Sequence, residues 1–125
     1  MPGAAQPEDY ERDPIIIIDP TKKFYSYPNP FGRGNTEEER LAYFNFHLDQ
    51  ISDVKIQIFT LLGELVWSTK RESLGSGNHP HTISWDGRND NGQRVLNGGY
   101  IGAIEIRPTG GGKVTRHITK IIYIK

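Results

Sequence analysis

The sequence predicts an all-β fold, an antiparallel β-sandwich of about seven strands. Apolar residues alternate with polar residues at a period of two along almost every apolar segment. These segments are rich in β-branched and aromatic residues, and glycine, proline, asparagine or aspartate bounds them at regular spacing. Helical periodicity is nearly absent, so the pattern favours strands joined by short turns.

Composition narrows the function classes. The chain has 125 residues, which fits one domain with its own core. It contains no cysteine, which excludes disulfides and thiolate chemistry. Lysine plus arginine and aspartate plus glutamate both number 15, so there is no net charge to attract nucleic acid. No apolar run approaches the roughly 20 residues of a membrane-spanning helix. We therefore predict neither nucleic-acid binding nor a membrane span.

The segment 1–14 is polar and punctuated by proline, so we interpret it as a flexible linker or tail before a sandwich domain at 15–125. It lacks the basic and apolar regions of a signal peptide. That absence indicates either a protein that is not exported or a piece of a longer protein. Ile15–Ile18 opens the domain between two Asp-Pro pairs and is predicted as a short buried strand.

The stretch "YPNPF", Tyr27 to Phe31, is predicted to be a rigid corner. Proline fixes φ and pushes the residue before it to extended geometry. We expect Tyr27 and Phe31 to cover one end of the core and the prolines to keep the segment from pairing further. A charged segment, "GRGNTEEER", follows, and Thr36 could cap one helical turn there.

Alternation also defines the remaining strands. In "LAYFNFHL", Phe44, Phe46 and Leu48 share the face opposite Tyr43. The later strands are predicted in the segments VKIQIFTL, ELVWST, HTISWD, GGYIGAIEIR and KVTRHITKIIYIK. Gly63 and Asn91-Gly92 mark tight turns, and "PTGGGK" is predicted to join the last two strands.

These motifs, taken in order, resemble the immunoglobulin-like domain of the flagellar hook-capping protein. They are still more similar to the C-terminal sorting domains of proteins exported by type IX secretion in Bacteroidota-like bacteria. The resemblance covers about Phe24 to Lys125 and implies an immunoglobulin-like sandwich. The residues that carry the motif pattern, and that we expect to shape the module, are Tyr27, Pro28, Asn29, Pro30, Trp85, Asp86, Gly87, Gly92, Gly99 and Tyr100.

The chain departs from the family pattern at two places. Thr60 stands where the family usually has aspartate, which should weaken a turn hydrogen bond. The charged segment before Leu41 is longer than the family's and puts in doubt any partner contact made near that corner.

The resemblance implies a non-catalytic C-terminal module of a secreted or cell-surface bacterial protein, used for secretion sorting or surface attachment. Its partners would be proteins of the export or attachment apparatus. Arg116, Lys120 and Lys125 on the basic last strand are the predicted partner-binding residues. In the alternative interpretation, the lysines only protect an exposed edge strand.

Two other functions stay open. One is a structural or capping subunit of a filament or flagellar hook that self-associates through edge strands, with Ile15–Ile18 lent to a neighbour. The other is a carbohydrate-binding accessory module.

A cation site is the first chemical alternative. "WDGRNDNGQ" carries oxygen donors for calcium, but the EF-hand order fails because Gly87 falls where the first carboxylate is required. A turn network, with Asp86 accepting backbone N–H bonds and Trp85 in the core, fits better. His79 and His81 could bind zinc only if a third ligand approached. We predict no metal and no other cofactor.

Catalysis and sugar binding would each need a recognisable set of residues in the sequence. No Gly-x-Ser-x-Gly elbow is present, and "GGGK" lacks the spacing of a phosphate-binding loop, so we predict no enzyme. A sugar platform would need exposed coplanar rings. The rings that could supply it are Tyr10, Tyr25, Tyr27, Tyr43, Trp67 and Tyr100, whereas the plainer expectation is that Tyr100 is core and Trp67 packs on a sheet.

Overall fold

The strands form where the alternation predicts them. The computed structural model describes residues 15–18, by their backbone, together with residues 24–77 and 80–125. The only helix in this part of the chain is one turn of 3-10 helix, Glu38–Arg40. The strands are β1 (Ile15–Ile18), β2 (Phe24–Tyr27), β3 (Ala42–Phe46), β4 (Ser52–Thr60), β5 (Leu65–Leu74), β6 (His81–Trp85), β7 (Gly98–Pro108) and β8 (Thr115–Tyr123). The predicted linker at 1–14 lies outside the described residues.

The strands make two sheets, which confirms the predicted β-sandwich. The larger sheet has the order β1-β8-β7-β4-β5 and the smaller has the order β2-β3-β6. Seven strands pair antiparallel, and β1 joins β8 in parallel, with Ile15 opposite Thr115. This pairing corrects one expectation, because β8 is not an edge strand. A strand Ile15–Ile18 lent to a neighbouring copy would first have to leave β8.

The core lies between the sheets. Trp85 is its centre and is almost fully buried. Its ring lies 5.4 Å from the ring of Phe31, 5.9 Å from Tyr100 in an edge contact, and 6.1 Å from Trp67. The alternation sends the expected aliphatic and aromatic residues inward, among them Phe44, Phe46, Leu48, Val54, Ile56, Ile58 and Ile104. Such aromatic pairs add stabilisation beyond the area that they bury.

The predicted turns form with the predicted residues. Gly63 has φ +94°, and its N–H donates to the carbonyl of Thr60 at 2.9 Å. We expected Thr60, which replaces the family's aspartate, to weaken a hydrogen bond in this turn. Its hydroxyl nevertheless accepts the N–H of Glu64 at 3.1 Å, so the turn keeps a side-chain acceptor. Gly92 has φ +83° at the tip of the next loop. In both turns the positive φ is one that glycine adopts without steric cost.

Candidate functional site

The last strand, β8, separates its side chains into two faces. Ile121 and Tyr123 point into the core and are fully buried, and His117 is nearly so. Arg116 and Lys120 are on the opposite face, because residues four apart on a strand share a face. The alternation along β8 therefore brings two of the three predicted partner-binding residues together.

The proline corner pairs with β8, although we expected the prolines to keep this segment from pairing further. The N–H of Phe31 donates to the carbonyl of Ile122 at 2.9 Å, and the N–H of Ile124 donates back to the carbonyl of Phe31 at 2.9 Å. The Asn29 amide reaches further along the strand: Nδ2 donates to the carbonyl of Lys120 at 3.0 Å and Oδ1 accepts the N–H of Ile122 at 2.9 Å. Each proline lacks an N–H, so a side chain and the next residue make the pairing instead.

Only one of the two aromatics at this corner covers the core. Phe31 is buried, but Tyr27 is 44% exposed, which corrects the prediction that both rings would close the end of the sandwich. Pro28 and Pro30, both in cis peptide bonds, are exposed beside it. Tyr27 is on the outer face of β2, opposite Tyr43 of β3.

Tyr123, at the end of β8, packs against both the proline corner and the Trp-Asp-Gly turn. Its ring lies under two glycines, because a Cβ built on Gly32 would come 2.7 Å from ring atom Cε1 and a Cβ on Gly87 would come 2.8 Å from it. Both glycines have positive φ, +112° and +80°. The Tyr123 hydroxyl accepts a bond from the guanidinium of Arg94 at 3.1 Å. Space and backbone conformation thus both require glycine at these two positions.

The exposed side of β8 combines positive charge with apolar contact. The guanidinium of Arg116 lies 5.6 Å from the centre of the Phe59 ring, which is cation–π distance. Lys120 extends beside Gly99, where Leu61, itself 61% exposed, also packs. We call Phe59, Leu61, Arg116 and Lys120 the outer C-terminal surface. A Cβ at Gly99 would meet Leu61 and Lys120 only at ordinary van der Waals distance, so space does not demand glycine there.

Lys125 lies apart from this surface. Its backbone N–H donates to Oδ1 of Asn97 at 2.9 Å. Lys125 lines a pocket of about 300 Å³ together with Arg33, Arg40 and Arg94. We call this the corner pocket. Sequence reasoning missed the three arginines, although the unusually long charged segment that contains Arg33 and Arg40 was a signal that this corner differs.

The Trp-Asp-Gly loop is a turn network, as the plainer interpretation predicted. Oδ1 of Asp86 accepts the N–H of Arg88 at 3.0 Å, and the Trp85 indole donates to the carbonyl of Arg88 at 2.8 Å. Oδ1 of Asn89 accepts the N–H groups of Asn91 and Gln93, both at 2.9 Å. These side-chain oxygens therefore hold the backbone of the loop in its turns.

Metal ligands do not gather in the described part of the chain, where no three His, Cys, Asp or Glu side chains form a group able to hold an ion. His81 stacks on Phe46, and its Nε2 lies 2.7 Å from the carbonyl oxygen of Gly75. His79, the other half of the predicted pair, lies outside the described residues.

A second exposed feature lies on the outer face of the smaller sheet. The rings of Tyr27 and Tyr43 stack with centroids 5.6 Å apart, and Tyr25 lies 6.1 Å from Tyr27. The Asn45 amide donates to the Tyr25 hydroxyl at 3.0 Å and accepts from the Thr82 hydroxyl at 2.7 Å. We call Tyr25, Tyr27 and Tyr43 the tyrosine face.

The other rings proposed for a sugar platform do not join the tyrosine face. Trp67 packs against Trp85 in the core cluster, and Tyr100 is 6% exposed with its hydroxyl donating to the carbonyl of Leu96 at 2.6 Å. Burial raises the pKa of the Tyr100 phenol, the neighbouring Tyr123 adds to the rise, and the bond to Leu96 opposes it. Tyr10 lies outside the described residues.

Comparison with known proteins relates the chain to larger bacterial proteins. No protein-family model and no curated protein sequence matches it. Among solved structures, dimeric latent PorU from Porphyromonas gingivalis matches with 25% identity and a TM-score of 0.59, over 81% of this chain and 9% of PorU. PorZ, an essential surface component of the type IX secretion system of the same organism, matches with 20% identity and a TM-score of 0.44, over 82% of this chain and 11% of PorZ. The chain thus spans about a tenth of either protein. No helix in the described residues is long and apolar enough to cross a membrane.

Proposed function

We propose that the chain is a non-catalytic module of an exported bacterial protein and acts as a secretion-sorting or cell-surface attachment domain. The observation that carries the proposal is the outer C-terminal surface. It sets the cations Arg116 and Lys120 beside apolar Phe59 and Leu61 on a strand that is paired along its length. A surface of this composition suits a protein partner that has acidic groups around an apolar contact.

The likeness to PorU supports this role. PorU is a type IX secretion component, and the matched region is 9% of its length, so a module of this size occurs inside a long protein there. The motif order in the sequence points the same way, since it resembles the sorting domains of that export route. Both observations support an extracellular or cell-surface location for this chain.

The pairing of β8 decides how a partner would bind. Both sides of its backbone are occupied, by β7 on one side and by β1 and the proline corner on the other. A partner would therefore contact the side chains of β8, because β8 has no free backbone edge to which a strand could be added. Strand addition stays open at the sheet edges, such as β5 of the larger sheet.

A fusion assay tests the role. Residues 15–125 are joined to a reporter with an export signal, in a bacterium that has type IX secretion, and the reporter is measured at the cell surface and in the medium. The double variant Arg116→Gln and Lys120→Gln should lower the exported fraction at least tenfold. The matched control, Lys70→Gln with Lys113→Gln, removes two exposed cations elsewhere and should export normally. Equal export by both double variants would refute the role of this surface.

Carbohydrate binding is a second candidate, favoured by the tyrosine face. Its three rings and the exposed hydroxyl of Thr82 form an uncharged surface that can both stack on and hydrogen-bond a sugar ring, and buried Asn45 holds the Tyr25 and Thr82 hydroxyls in place. Calorimetric titration with cell-surface polysaccharide should show binding that Tyr27→Ala removes and Arg116→Gln leaves unchanged. If Tyr27→Ala binds as well as the wild type, the tyrosine face is not a sugar site.

A further inference from the structure

The corner pocket collects positive charge from three separate parts of the chain. Arg33 and Arg40 come from the segment after the proline corner, Arg94 from the loop before β7, and Lys125 follows β8. The two remaining lining residues are Gly32 and Gly34, so no acidic side chain lines the pocket. The charged side chains of the lining are therefore those of four cations.

None of the four cations forms an ion pair within the described residues. Among the described residues, the ion pairs are Lys55–Glu105, Arg107–Glu105 and Arg88–Asp86, and none includes a cation of the corner pocket. The carboxylate of Glu39 lies in the same segment, and its Oε1 accepts the N–H groups of Asn35 and Thr36 at 2.9 and 3.0 Å. These bonds orient the carboxylate toward the backbone of the turn. The charged residues that line the pocket itself are all cationic.

The arginines are oriented and still have donors to spare. Nε of Arg40 donates to the carbonyl of Gly34 at 3.0 Å, and Nη1 of Arg94 donates to the Tyr123 hydroxyl at 3.1 Å. A guanidinium has five N–H donors, so each keeps most of them for a ligand. Preformed arginines lose less conformational freedom on binding than mobile ones do.

Two glycines fix the wall of the pocket. Gly32 has φ +112°, and a Cβ there would come 2.7 Å from the carbonyl oxygen of Ile124. Gly34 has φ +155°, and a Cβ there would overlap Glu39. Only glycine lets the backbone approach the end of β8 this closely at position 32 and approach Glu39 this closely at position 34. Thr36 and Glu39 then fix the turn that holds Arg40, since Thr36 Oγ1 accepts the N–H of Glu39 at 3.2 Å.

We propose that the corner pocket is a binding site for a phosphate group, carried by a free phosphate monoester or by a phosphorylated lipid headgroup. Several arginines that line one pocket, with no ion pair among the described residues, match the oxygens of a phosphate, which accept paired N–H bonds. The pocket depends on the charged segment by which this chain departs from the sorting-domain pattern. The proposal therefore goes beyond the export role, and its failure would leave that role untouched.

Titration with inorganic phosphate at low ionic strength tests the proposal, followed by the backbone amide signals of residues 32–40 and 94 in NMR spectra. The wild type should show saturable shifts there. Arg33→Gln should weaken binding about tenfold and Arg33→Gln with Lys125→Gln about a hundredfold, because each charge-assisted bond contributes about 1.5–3 kcal/mol and tenfold corresponds to about 1.4 kcal/mol. Neither side chain makes a hydrogen bond within the described residues, so both variants should fold.

A control variant tests whether phosphate binding is specific to the corner pocket, and a second experiment identifies the source of the phosphate. Lys70→Gln with Arg107→Gln removes two exposed cations from another region and should bind phosphate as the wild type does. Co-sedimentation with vesicles of phosphatidylcholine and phosphatidate in equal parts, compared with phosphatidylcholine alone, tests a lipid headgroup. Vesicle binding that depends on Arg33 assigns the lipid source, and phosphate binding without it assigns a soluble monoester. Absence of saturable binding in both arms, or equal losses in the two double variants, would overturn the proposal.

Discussion

At the residue scale, Tyr100 connects burial with titration. Its phenol is 6% exposed and donates a hydrogen bond to the carbonyl of Leu96 at 2.6 Å. Burial, with Tyr123 adding to the effect, raises the pKa of Tyr100 above its ordinary value of 10.0. The neutral phenol is therefore the form that the folded state favours.

Tyr100→Phe should lower the free energy of unfolding by about 1 kcal/mol at pH 7, because the hydrogen bond is lost. The advantage of the wild type should shrink at high pH. Since the pKa is raised in the folded state, the stabilisation is complete below about pH 10 and is lost as the pH rises through the folded-state pKa. Urea unfolding of both proteins from pH 7 to pH 11 measures the difference. A difference that does not change with pH would contradict the assignment.

Gly87 is a position in the Trp-Asp-Gly turn where only the hydrogen side chain of glycine fits against the ring of Tyr123. Gly87→Ala places a methyl group 2.8 Å from ring atom Cε1 of Tyr123 at φ +80°. Gly92→Ala is the matched control, because φ there is +83° but nothing lies within 4 Å of the added carbon. Both variants bear the cost of positive φ, about 1–2 kcal/mol. Gly87→Ala should cost about 1–3 kcal/mol more, by overpacking, in denaturant unfolding. Equal losses would mean that the ring simply moves aside.

At the element scale, the proline corner holds the end of β8. The corner has no proline N–H to donate, so Asn29 makes two side-chain bonds to the strand and Phe31 makes two backbone bonds. The end of a strand opens readily unless hydrogen bonds to other elements hold it. We infer that these four bonds keep Lys120 and the outer C-terminal surface in place.

Asn29→Ala should lower stability by about 1–3 kcal/mol, because two hydrogen bonds are lost and the carbonyl of Lys120 loses this donor. The amide proton of Ile122, which donates to Asn29 Oδ1, should exchange with solvent much faster in the variant than in the wild type. The amide proton of Ile104, in the core, should exchange faster only by the factor that the loss of global stability predicts. Asn35→Ala is the control, since only the backbone of Asn35 is hydrogen-bonded in the described structure. Unchanged exchange at Ile122 in Asn29→Ala would show that the backbone bonds of Phe31 are sufficient.

The strands themselves were predictable because alternation is local. The buried positions of β4 follow directly from a period of two, and so do those of β3 except Asn45, which is buried on the other face. The turns follow from Gly63 and Gly92. The pairing of the proline corner was not predictable, because Asn29 and Ile122 are 93 residues apart and nothing in either segment indicates the other.

At the scale of the whole molecule, one aromatic cluster joins the two sheets. Trp85 belongs to the smaller sheet, Trp67 and Tyr100 belong to the larger sheet, and Phe31 closes one end. The sheets share one core and no second cluster of buried residues occurs in the described chain. A single domain of this size with one core is expected to unfold in one step.

Unfolding in urea should therefore give the same midpoint by tryptophan fluorescence, which reports the contact between the sheets, and by far-ultraviolet circular dichroism, which reports the strands. The control variant Trp67→Phe leaves Trp85 as the only tryptophan of the two in the sequence and should keep the two midpoints equal. Fluorescence that changes at a lower urea concentration than the circular dichroism would show that the sheets separate before they unfold.

The sequence by itself determined the class of fold, the buried face of strands such as β4 and β6, the turn residues and the basic character of β8, because each depends on residues that are near neighbours in the chain. Only the tertiary structure decided that β8 is an inner strand, that Trp67 belongs to the core and that Lys125 is separate from Arg116 and Lys120. It also brought Arg33, Arg40 and Arg94 into one pocket. These features arise from contacts between distant segments, which the order of the strands in the sheets creates and which local patterns do not encode.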